Sequence, residues 1–313
     1  MIPPLNRRNF LHWGVLAGTA STSAIGLKTR VAAVEPPTRP GSPKLRLALA
    51  AYSFRDQFKA PKGAPEATKP EMDMFRFIDY CAEHGCDGAE LTSYYFTDPL
   101  PEKYLTEVRR HAHLRGISIS GSAVGNTFTH PPGPQREKEI AHVKNWIDRA
   151  SLFGAPHIRV FAGNTQKNQS RAEAVAQCVA ALDECAEYAG QKGIFLGIEN
   201  HGGIVSKADE LLEVVRASKS RWVGINLDIG NFHSADPYDE LARCAPYAVN
   251  VQYKGEIRRK GAAASEPTDV SRVAKLLRNA NYQGWVALEY EMKESPWTGV
   301  PTQLALLNAA LRG

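Results

Sequence analysis

The feature that most restricts the fold of this chain is a regular alternation between short β-type runs and longer amphipathic segments. The β-type runs occupy residues 45–53, 88–92, 117–122, 157–162, 194–200, 223–229, 248–254 and 285–291. Amphipathic stretches between them, such as 71–84, 140–153, 171–191 and 208–217, repeat apolar residues at helical spacing. Repeated strand–helix units of this length predict a parallel sheet, and eight of them predict closure into a (β/α)₈ TIM barrel.

An open, doubly wound sheet is the alternative fold for the same pattern. That fold usually carries a glycine-rich phosphate-binding loop after its first strand, and no such loop follows the first run here. A single barrel domain is therefore the prediction, with its active site at the C-terminal ends of the strands.

The distribution of charge argues against a nucleic-acid-binding protein. The chain carries a formal net charge of +5, and the first 33 residues contribute +4 of it through four basic residues and no acid. The remaining body is nearly neutral, which gives no electrostatic basis for binding a polyanion.

The cysteines argue against a disulfide framework, because there are five of them and no CxxC pair.

The N-terminus is predicted to direct export. The sequence Asn6-Arg7-Arg8-Asn9-Phe10-Leu11 closely resembles the twin-arginine export signal, and a weakly apolar stretch and small residues follow it up to residue 33. Residues 1–33 are thus predicted to be a signal peptide, 34–43 a proline-rich linker and 44–313 the catalytic domain. We expect a periplasmic or extracellular protein with no stable membrane anchor.

Oxygen-bearing side chains stand at the ends of the last four β-type runs. They are Glu199, Asp228, Gln252 and Glu289, and the ends of parallel strands meet at one rim of a barrel. Three carboxylates in one buried place repel one another unless a cation lies among them. Because the set is hard and rich in oxygen, the sequence predicts one divalent metal ion, Mn²⁺ or Mg²⁺.

The same residues lie in phrases that resemble the xylose-isomerase-like TIM-barrel superfamily of sugar (phosphate) isomerases and epimerases. The matching phrases, within a resemblance from about residue 44 to the C-terminus, are Trp146-Ile147-Asp148, Ile158-Arg159-Val160-Phe161-Ala162-Gly163, Gly197-Ile198-Glu199-Asn200-His201-Gly202-Gly203, Leu227-Asp228-Ile229-Gly230-Asn231 and Leu288-Glu289. The resemblance implies Glu199, Asp228, Gln252 and Glu289 as metal ligands and the two glutamates as the acid–base pair. Gln252 matches the hydroxypyruvate-isomerase-like branch. The chain departs from many members at Asn231, where they carry a histidine.

Five further polar residues are predicted to contact the substrate: His201, Lys254, Glu90, Arg159 and Asn231. Side chains alternate along a strand, so His201 shares a face with Glu199, and Lys254 shares one with Gln252. For these two we expect hydroxyl or oxyanion contacts, with a surface salt bridge as the alternative. Glu90 and Arg159 end the second and fourth runs, where substrate binding and a buried ion pair are both consistent with the sequence.

The predicted function is a metal-dependent isomerase or epimerase of a small sugar or keto-sugar. Export favours a free or glycosidically linked sugar over a sugar phosphate. A lyase or hydrolase of keto-glycosides with the same metal site is one alternative, and a non-catalytic sugar-binding protein is another. The abasic-site endonucleases of this superfamily are disfavoured because the chain lacks their histidine-rich metal cluster. An oligomer is compatible with the sequence.

The export prediction can be tested directly. Replacing Arg7 and Arg8 together with lysine should leave unprocessed protein in the cytoplasm, because the paired arginines identify the signal. Cell fractionation with an immunoblot measures both the location and the size of the protein. Mature protein of unchanged size in the exported fraction of the variant would contradict the prediction.

Overall fold

The barrel strands are parallel and close in sequence order. A computed structural model describes residues 34–60 and 69–313, so the predicted signal peptide lies outside the described residues. The strands are β1 (Lys44–Ala50), β2 (Gly88–Thr92), β3 (Ser118–Ala123), β4 (His157–Val160), β5 (Phe195–Glu199), β6 (Val223–Asp228), β7 (Ala248–Tyr253), β8 (Glu256–Ile257), β9 (Glu266–Pro267) and β10 (Gln283–Leu288). β8 and β9 form a separate antiparallel ribbon, and β10 pairs with β1 to close the barrel.

In the described part of the chain, α-helices surround this barrel. They are α1 (Met74–Glu83), α2 (Glu102–Leu114), α3 (Pro134–Phe153), α4 (Arg171–Gln191), α5 (Ala208–Ala217), α6 (Pro237–Cys244), α7 (Val270–Asn279) and α8 (Pro296–Arg312). None of the helices among the described residues is long and apolar enough to cross a membrane. The predicted (β/α)₈ barrel is confirmed.

Local capping residues fix where the helices begin. α1 begins at Met74 because Asp73 Oδ1 accepts the backbone N–H of Arg76 at 2.8 Å. Ser170 and Glu173 form a reciprocal capping box at the start of α4, where the predicted and observed boundaries agree. α3 begins earlier than predicted, at Pro134, because proline is well suited to the first position of a helix.

The two faces of the barrel strands have opposite chemistry. Residues such as Ile198, Val251 and Leu288 are fully buried in the apolar core beneath the helices, as the alternation predicts. The barrel interior instead contains small residues near β1 and polar side chains elsewhere, including Glu90 and Asn250. A polar interior must satisfy its own hydrogen bonds, and this requirement shapes the site described below.

Residues 34–43, predicted to be a linker separate from the catalytic domain, pack against the barrel. Val34 is buried, and the Arg39 guanidinium donates to the carbonyls of Pro246 and Ala248. Asn281 Nδ2 donates to the Arg39 carbonyl at 3.0 Å. The segment has no helix or strand, as a proline-rich sequence predicts, yet polar contacts hold it against the N-terminal end of the barrel.

His157 fills the barrel interior at the start of β4. Its ring is buried, and a Cβ on Gly121 would lie 1.8 Å from its Cε1 atom, so the ring needs a glycine opposite it. Burial lowers the pKa of His157 to about 4. The fold therefore favours the neutral imidazole.

This burial predicts a loss of stability in acid. An unfolded histidine titrates near pH 6.5, whereas the pKa of folded His157 is about 4. The contribution of neutral His157 to the free energy of unfolding is therefore complete above pH 6.5 and is lost as the pH falls towards about 4. Between about pH 7.5 and about pH 4.5, wild-type protein should lose roughly 2–3 kcal/mol more unfolding free energy than His157→Gln. Denaturant unfolding at the two pH values measures this difference.

The exposed His113 on α2 provides the control for this prediction. His113→Gln should show the same pH dependence as wild type. An equal acid loss in wild type and His157→Gln would show that His157 is not the source.

Candidate active site

The four residues predicted to bind a metal ion converge at the C-terminal rim of the barrel. Glu199 and Asp228 are the last residues of β5 and β6, Gln252 is near the end of β7, and Glu289 directly follows β10. All four are almost completely buried. Parallel strands place these residues at one end because each strand ends on the same side of the sheet.

Glu199 is held on both of its carboxylate oxygens. Arg159 Nε lies 2.9 Å from Oε2, and Asn231 Nδ2 donates to Oε1 at 2.9 Å. The Arg159 guanidinium also donates to the Val124 carbonyl at 3.0 Å and stacks 3.9 Å from the centre of the Phe161 ring. Arg159 therefore forms a buried ion pair, which was one of its two predicted roles.

Lys254 connects the other acids of the rim. Its Nζ atom lies 3.2 Å from Asp228 Oδ2, 3.5 Å from Glu289 Oε2 and 2.5 Å from Glu291 Oε2. It also donates to Asn231 Oδ1 at 3.3 Å. Because Asn231 holds Glu199 with its other end, one continuous set of contacts joins Glu199 to Glu289.

Gln252 belongs to a polar network inside the barrel. Its Nε2 donates to Glu90 Oε1 at 2.7 Å, and its Oε1 accepts from Asn226 Nδ2 at 2.6 Å. Asn250 Nδ2 donates to the second oxygen of Glu90 at 2.8 Å. Glu90 thus lies beneath the rim as a partner of two amides, and the structure gives it no direct ion pair with Arg159.

The balance of charge governs protonation in this site. Four carboxylates, those of Glu199, Asp228, Glu289 and Glu291, contact the cations Arg159 and Lys254, while the Glu90 carboxylate beneath them contacts two amides and lies 3.8 Å from His157 Nε2. Burial raises the pKa of Glu90 and Asp228, and it raises the pKa of Glu289 well above its ordinary value. Burial also raises the pKa of Glu199, to about 7, although Arg159 opposes this shift.

The two cations respond in the opposite direction. Burial lowers the pKa of Lys254, but Asp228, Glu289 and Glu291 together outweigh burial and raise it. Arg159 behaves in the same way beside Glu199. The cations therefore remain charged, whereas burial opposes ionisation of the carboxylates around them.

The side chains predicted to bind a divalent ion already contact other protein groups. Glu199 uses both oxygens for Arg159 and Asn231, Asp228 Oδ1 accepts from the Gly230 N–H at 2.8 Å, and Gln252 Oε1 accepts from Asn226. Lys254 contacts the remaining oxygens of Asp228 and Glu289. Within residues 34–60 and 69–313, no three His, Cys, Asp or Glu side chains are arranged to hold a metal ion. The arrangement does not fit a resident divalent metal.

His201 lies outside this set of contacts. It follows β5, its backbone N–H donates to the Glu199 carbonyl, and its ring packs 4.5 Å from that of Phe161. A cavity of about 650 Å³ adjoins the rim here, lined by His201, Lys207, Asn231, His233, Glu240 and Lys260 among others. Asn231 lines this cavity and also donates to Glu199 Oε1, so it connects the cavity wall to the acid site, although Glu199, Asp228, Lys254 and Glu289 do not line the cavity themselves.

Two residues of the site were not predicted. Asn226 bridges Gln252 and Asn250, and its position two residues before Asp228 on β6 placed it on the same inward face. Glu291 reaches Lys254, although β10 ends at Leu288. Its spacing from Glu289 indicated a shared face, but the sequence did not show that Lys254 would reach both.

Comparisons with known proteins define the family. The sequence model of the xylose isomerase-like TIM barrel family matches residues 78–310. The chain belongs to this family, so the resemblance inferred from the sequence is confirmed. A comparison with curated proteins gave no significant match.

Solved structures with this fold include several sugar epimerases. D-psicose 3-epimerase from Clostridium cellulolyticum H10, with D-tagatose, has a TM-score of 0.65 at 15% identity over 85% of this chain and 96% of its own. The 3-keto-D-glucoside 4-epimerase from E. coli gives 0.62 at 15% identity over 85% and 100%. The IOLI protein, with a bound zinc atom, gives 0.66 at 15% identity over 85% and 96%. Likeness at this identity establishes the fold.

The Arg159–Glu199 pair predicts a large stability effect. Both side chains are about 5% exposed or less, so Arg159→Met leaves a buried carboxylate without its cation. We expect a loss of about 3–5 kcal/mol in unfolding free energy, measured by denaturant titration. Adding Glu199→Gln should recover part of this loss.

Arg171 provides the matched control, because its ion pair with Glu213 is half exposed. Arg171→Met should cost no more than about 1 kcal/mol. Equal effects at the two arginines, or a double variant no more stable than Arg159→Met, would contradict the assigned role of the buried pair.

Proposed function

We propose that this protein is an isomerase or epimerase that moves a proton between adjacent carbons of a sugar or keto-sugar. The observation that carries the proposal is the linkage of two buried glutamates, Glu199 and Glu289, through Asn231 and Lys254 at the barrel rim. Binding alone does not require two acids whose protonation is shifted by burial, whereas acid–base catalysis does.

The different surroundings of the two glutamates assign their roles. Arg159 contacts Glu199 directly and favours its ionised form, so Glu199 is the base that accepts a proton from the carbon beside the carbonyl. Burial raises the pKa of Glu289 well above its ordinary value, and its nearest cation, Lys254, is farther away at 3.5 Å, so we assign Glu289 as the acid that returns a proton to the sugar. Two carboxylates in different environments can take different acid–base roles.

Electron flow in the proposed step is balanced within the substrate. The C–H bond next to the carbonyl breaks and its proton goes to Glu199, while the electron pair forms a carbon–carbon double bond and the carbonyl oxygen becomes an enolate. Reprotonation of the same carbon by Glu289 from the opposite face gives the epimer. For the isomer, Glu289 protonates the former carbonyl carbon, and the proton of the neighbouring hydroxyl moves to the former carbonyl oxygen. The buried rim favours this chemistry because fixed donors stabilise the developing oxyanion.

The substrate class follows from the cavity and from the fold relatives. The cavity beside Asn231 is large enough for a sugar unit and is lined by polar side chains. Among the fold relatives, the D-psicose 3-epimerase is seen with D-tagatose, and another relative is a 3-keto-D-glucoside 4-epimerase. Export by the twin-arginine route, which we also propose, favours a free or glycosidically linked sugar over a sugar phosphate.

The donor atoms described above do not fit the predicted Mn²⁺ or Mg²⁺ ion, so no step is assigned to it. The zinc of the IOLI protein shows that one fold relative holds a divalent metal. In this chain, Arg159 and Asn231 contact the Glu199 oxygens, Asn226 donates to Gln252, and the buried Asp228 Oδ2, which accepts no hydrogen bond from the described residues, lies 3.2 Å from Lys254 Nζ. The proposed step is therefore derived from the residues themselves.

Proton exchange with solvent tests the proposed function. In D₂O, a ketohexose or 3-keto-glucoside that serves as substrate should gain deuterium at one carbon, detected by proton NMR. Glu199→Gln and Glu289→Gln should each lower the exchange rate by about 10²–10⁴-fold, because glutamine cannot transfer the proton. Ligand binding should persist in both variants.

Glu294 provides the control, because it is an exposed glutamate in the segment that follows β10, five residues after Glu289. Glu294→Gln should retain the wild-type exchange rate. Undiminished exchange in both active-site variants would rule out the two-glutamate mechanism. Binding without exchange across the whole panel would identify a sugar-binding protein, and release of a leaving group would identify a lyase.

A further inference from the structure

Lys254 lies where the predicted metal ion would have joined the acids. Its ammonium contacts Asp228 at the end of β6 together with Glu289 and Glu291 after β10. The side chain is only 15% exposed, so it is not a surface lysine with an incidental ion pair. One organic cation therefore bridges acids from two strand ends.

The loop after β6 is shaped around this lysine. A Cβ on Gly230 would lie 2.8 Å from Lys254 Cδ and 3.1 Å from Lys254 Cβ, so a glycine is needed for the lysine stem to pass. The Gly230 N–H also donates to Asp228 Oδ1, and the next residue, Asn231, accepts from Lys254 Nζ. Packing and polar contacts together hold the ammonium at the rim.

An ammonium in this position opposes the binding of a divalent ion. A metal bound by Asp228 and Glu289 would lie within a few ångströms of Nζ, because Lys254 contacts the same oxygens. The repulsion between a divalent ion and a unit charge is twice that between two unit charges, and it is strong where water is excluded. The two cations therefore compete for one place.

We propose that the Lys254 ammonium replaces the divalent ion in this barrel, so that the chain holds its rim carboxylates with its own cation and needs no resident metal. A further part rests on the proposed function: the same ammonium holds the enolate oxygen that forms when Glu199 accepts the proton. The first part stands on contacts alone and is tested without any substrate.

Binding of Mn²⁺ tests the replacement. Wild-type protein, treated with chelator and then titrated with Mn²⁺, should leave the ion free by electron paramagnetic resonance, and purified protein should contain substoichiometric metal. Lys254→Met removes the competing charge and should bind one Mn²⁺ at least about a hundredfold more tightly than wild type. Mn²⁺ should also raise the melting temperature of this variant and not that of wild type.

Two variants control for charge and folding. Lys254→Arg keeps a cation at the rim and should bind Mn²⁺ as weakly as wild type. Lys293→Met removes a charge from an exposed lysine in the segment after β10 and should leave Mn²⁺ binding unchanged. If Lys254→Met does not fold, the wild-type and Lys254→Arg titrations still decide the question.

Stoichiometric, tight Mn²⁺ binding by wild-type protein would overturn the proposal, as would a folded Lys254→Met variant that gains no affinity. If solvent exchange is observed on a substrate, it should persist in wild type after chelator treatment. Loss of exchange on chelation, restored by metal, would overturn the proposal while leaving the two-glutamate function intact. Absence of exchange from any sugar would count against the proposed function and leave the Mn²⁺ result unaffected.

Discussion

Buried carboxylates need a compensating charge, and the rim of this barrel is organised around that requirement. Removing Glu199, Asp228 and Glu289 from water is costly unless donors or cations replace the lost hydration. Arg159 compensates the charge of Glu199, and Lys254 compensates the charges of Asp228 and Glu289. β4 positions Arg159, the end of β7 positions Lys254, and the loop after β6 provides the glycine and the asparagine that contact this lysine.

The loop after β6 links structure to chemistry. Gly230 makes room for the lysine stem, and Asn231 donates to Glu199 while accepting from Lys254. At this position the resemblance drawn from the sequence implies a histidine, and the chain carries Asn231 instead. In this site the Asn231 amide and the Lys254 ammonium together connect Glu199 to Glu289. Since Asn231 also lines the adjoining cavity, a bound sugar would lie beside this bridge.

The sequence predicted the architecture well because strand–helix alternation is a local pattern. It also placed Glu199, Asp228, Gln252 and Glu289 at one rim, since parallel strands end together. It could not determine which groups those acids contact. Gln252 shares a face with Lys254, yet its amide turns towards Glu90 and Asn226, while the longer lysine reaches the acids. Side-chain length and direction, which residue spacing does not encode, decided the site.

The rim contains one connected polar unit, formed by Glu199, Asn231, Lys254 and Glu289. We propose that these residues of the chain itself transfer the proton and stabilise the oxyanion. A crystal structure with an enediolate-mimicking hydroxamate, grown with Mn²⁺ present, tests this most directly. We expect a ligand oxygen about 3 Å from Lys254 Nζ, with the ligand between Glu199 and Glu289. A Mn²⁺ ion coordinated by Glu199, Asp228 and Glu289, with Lys254 turned away, would contradict it.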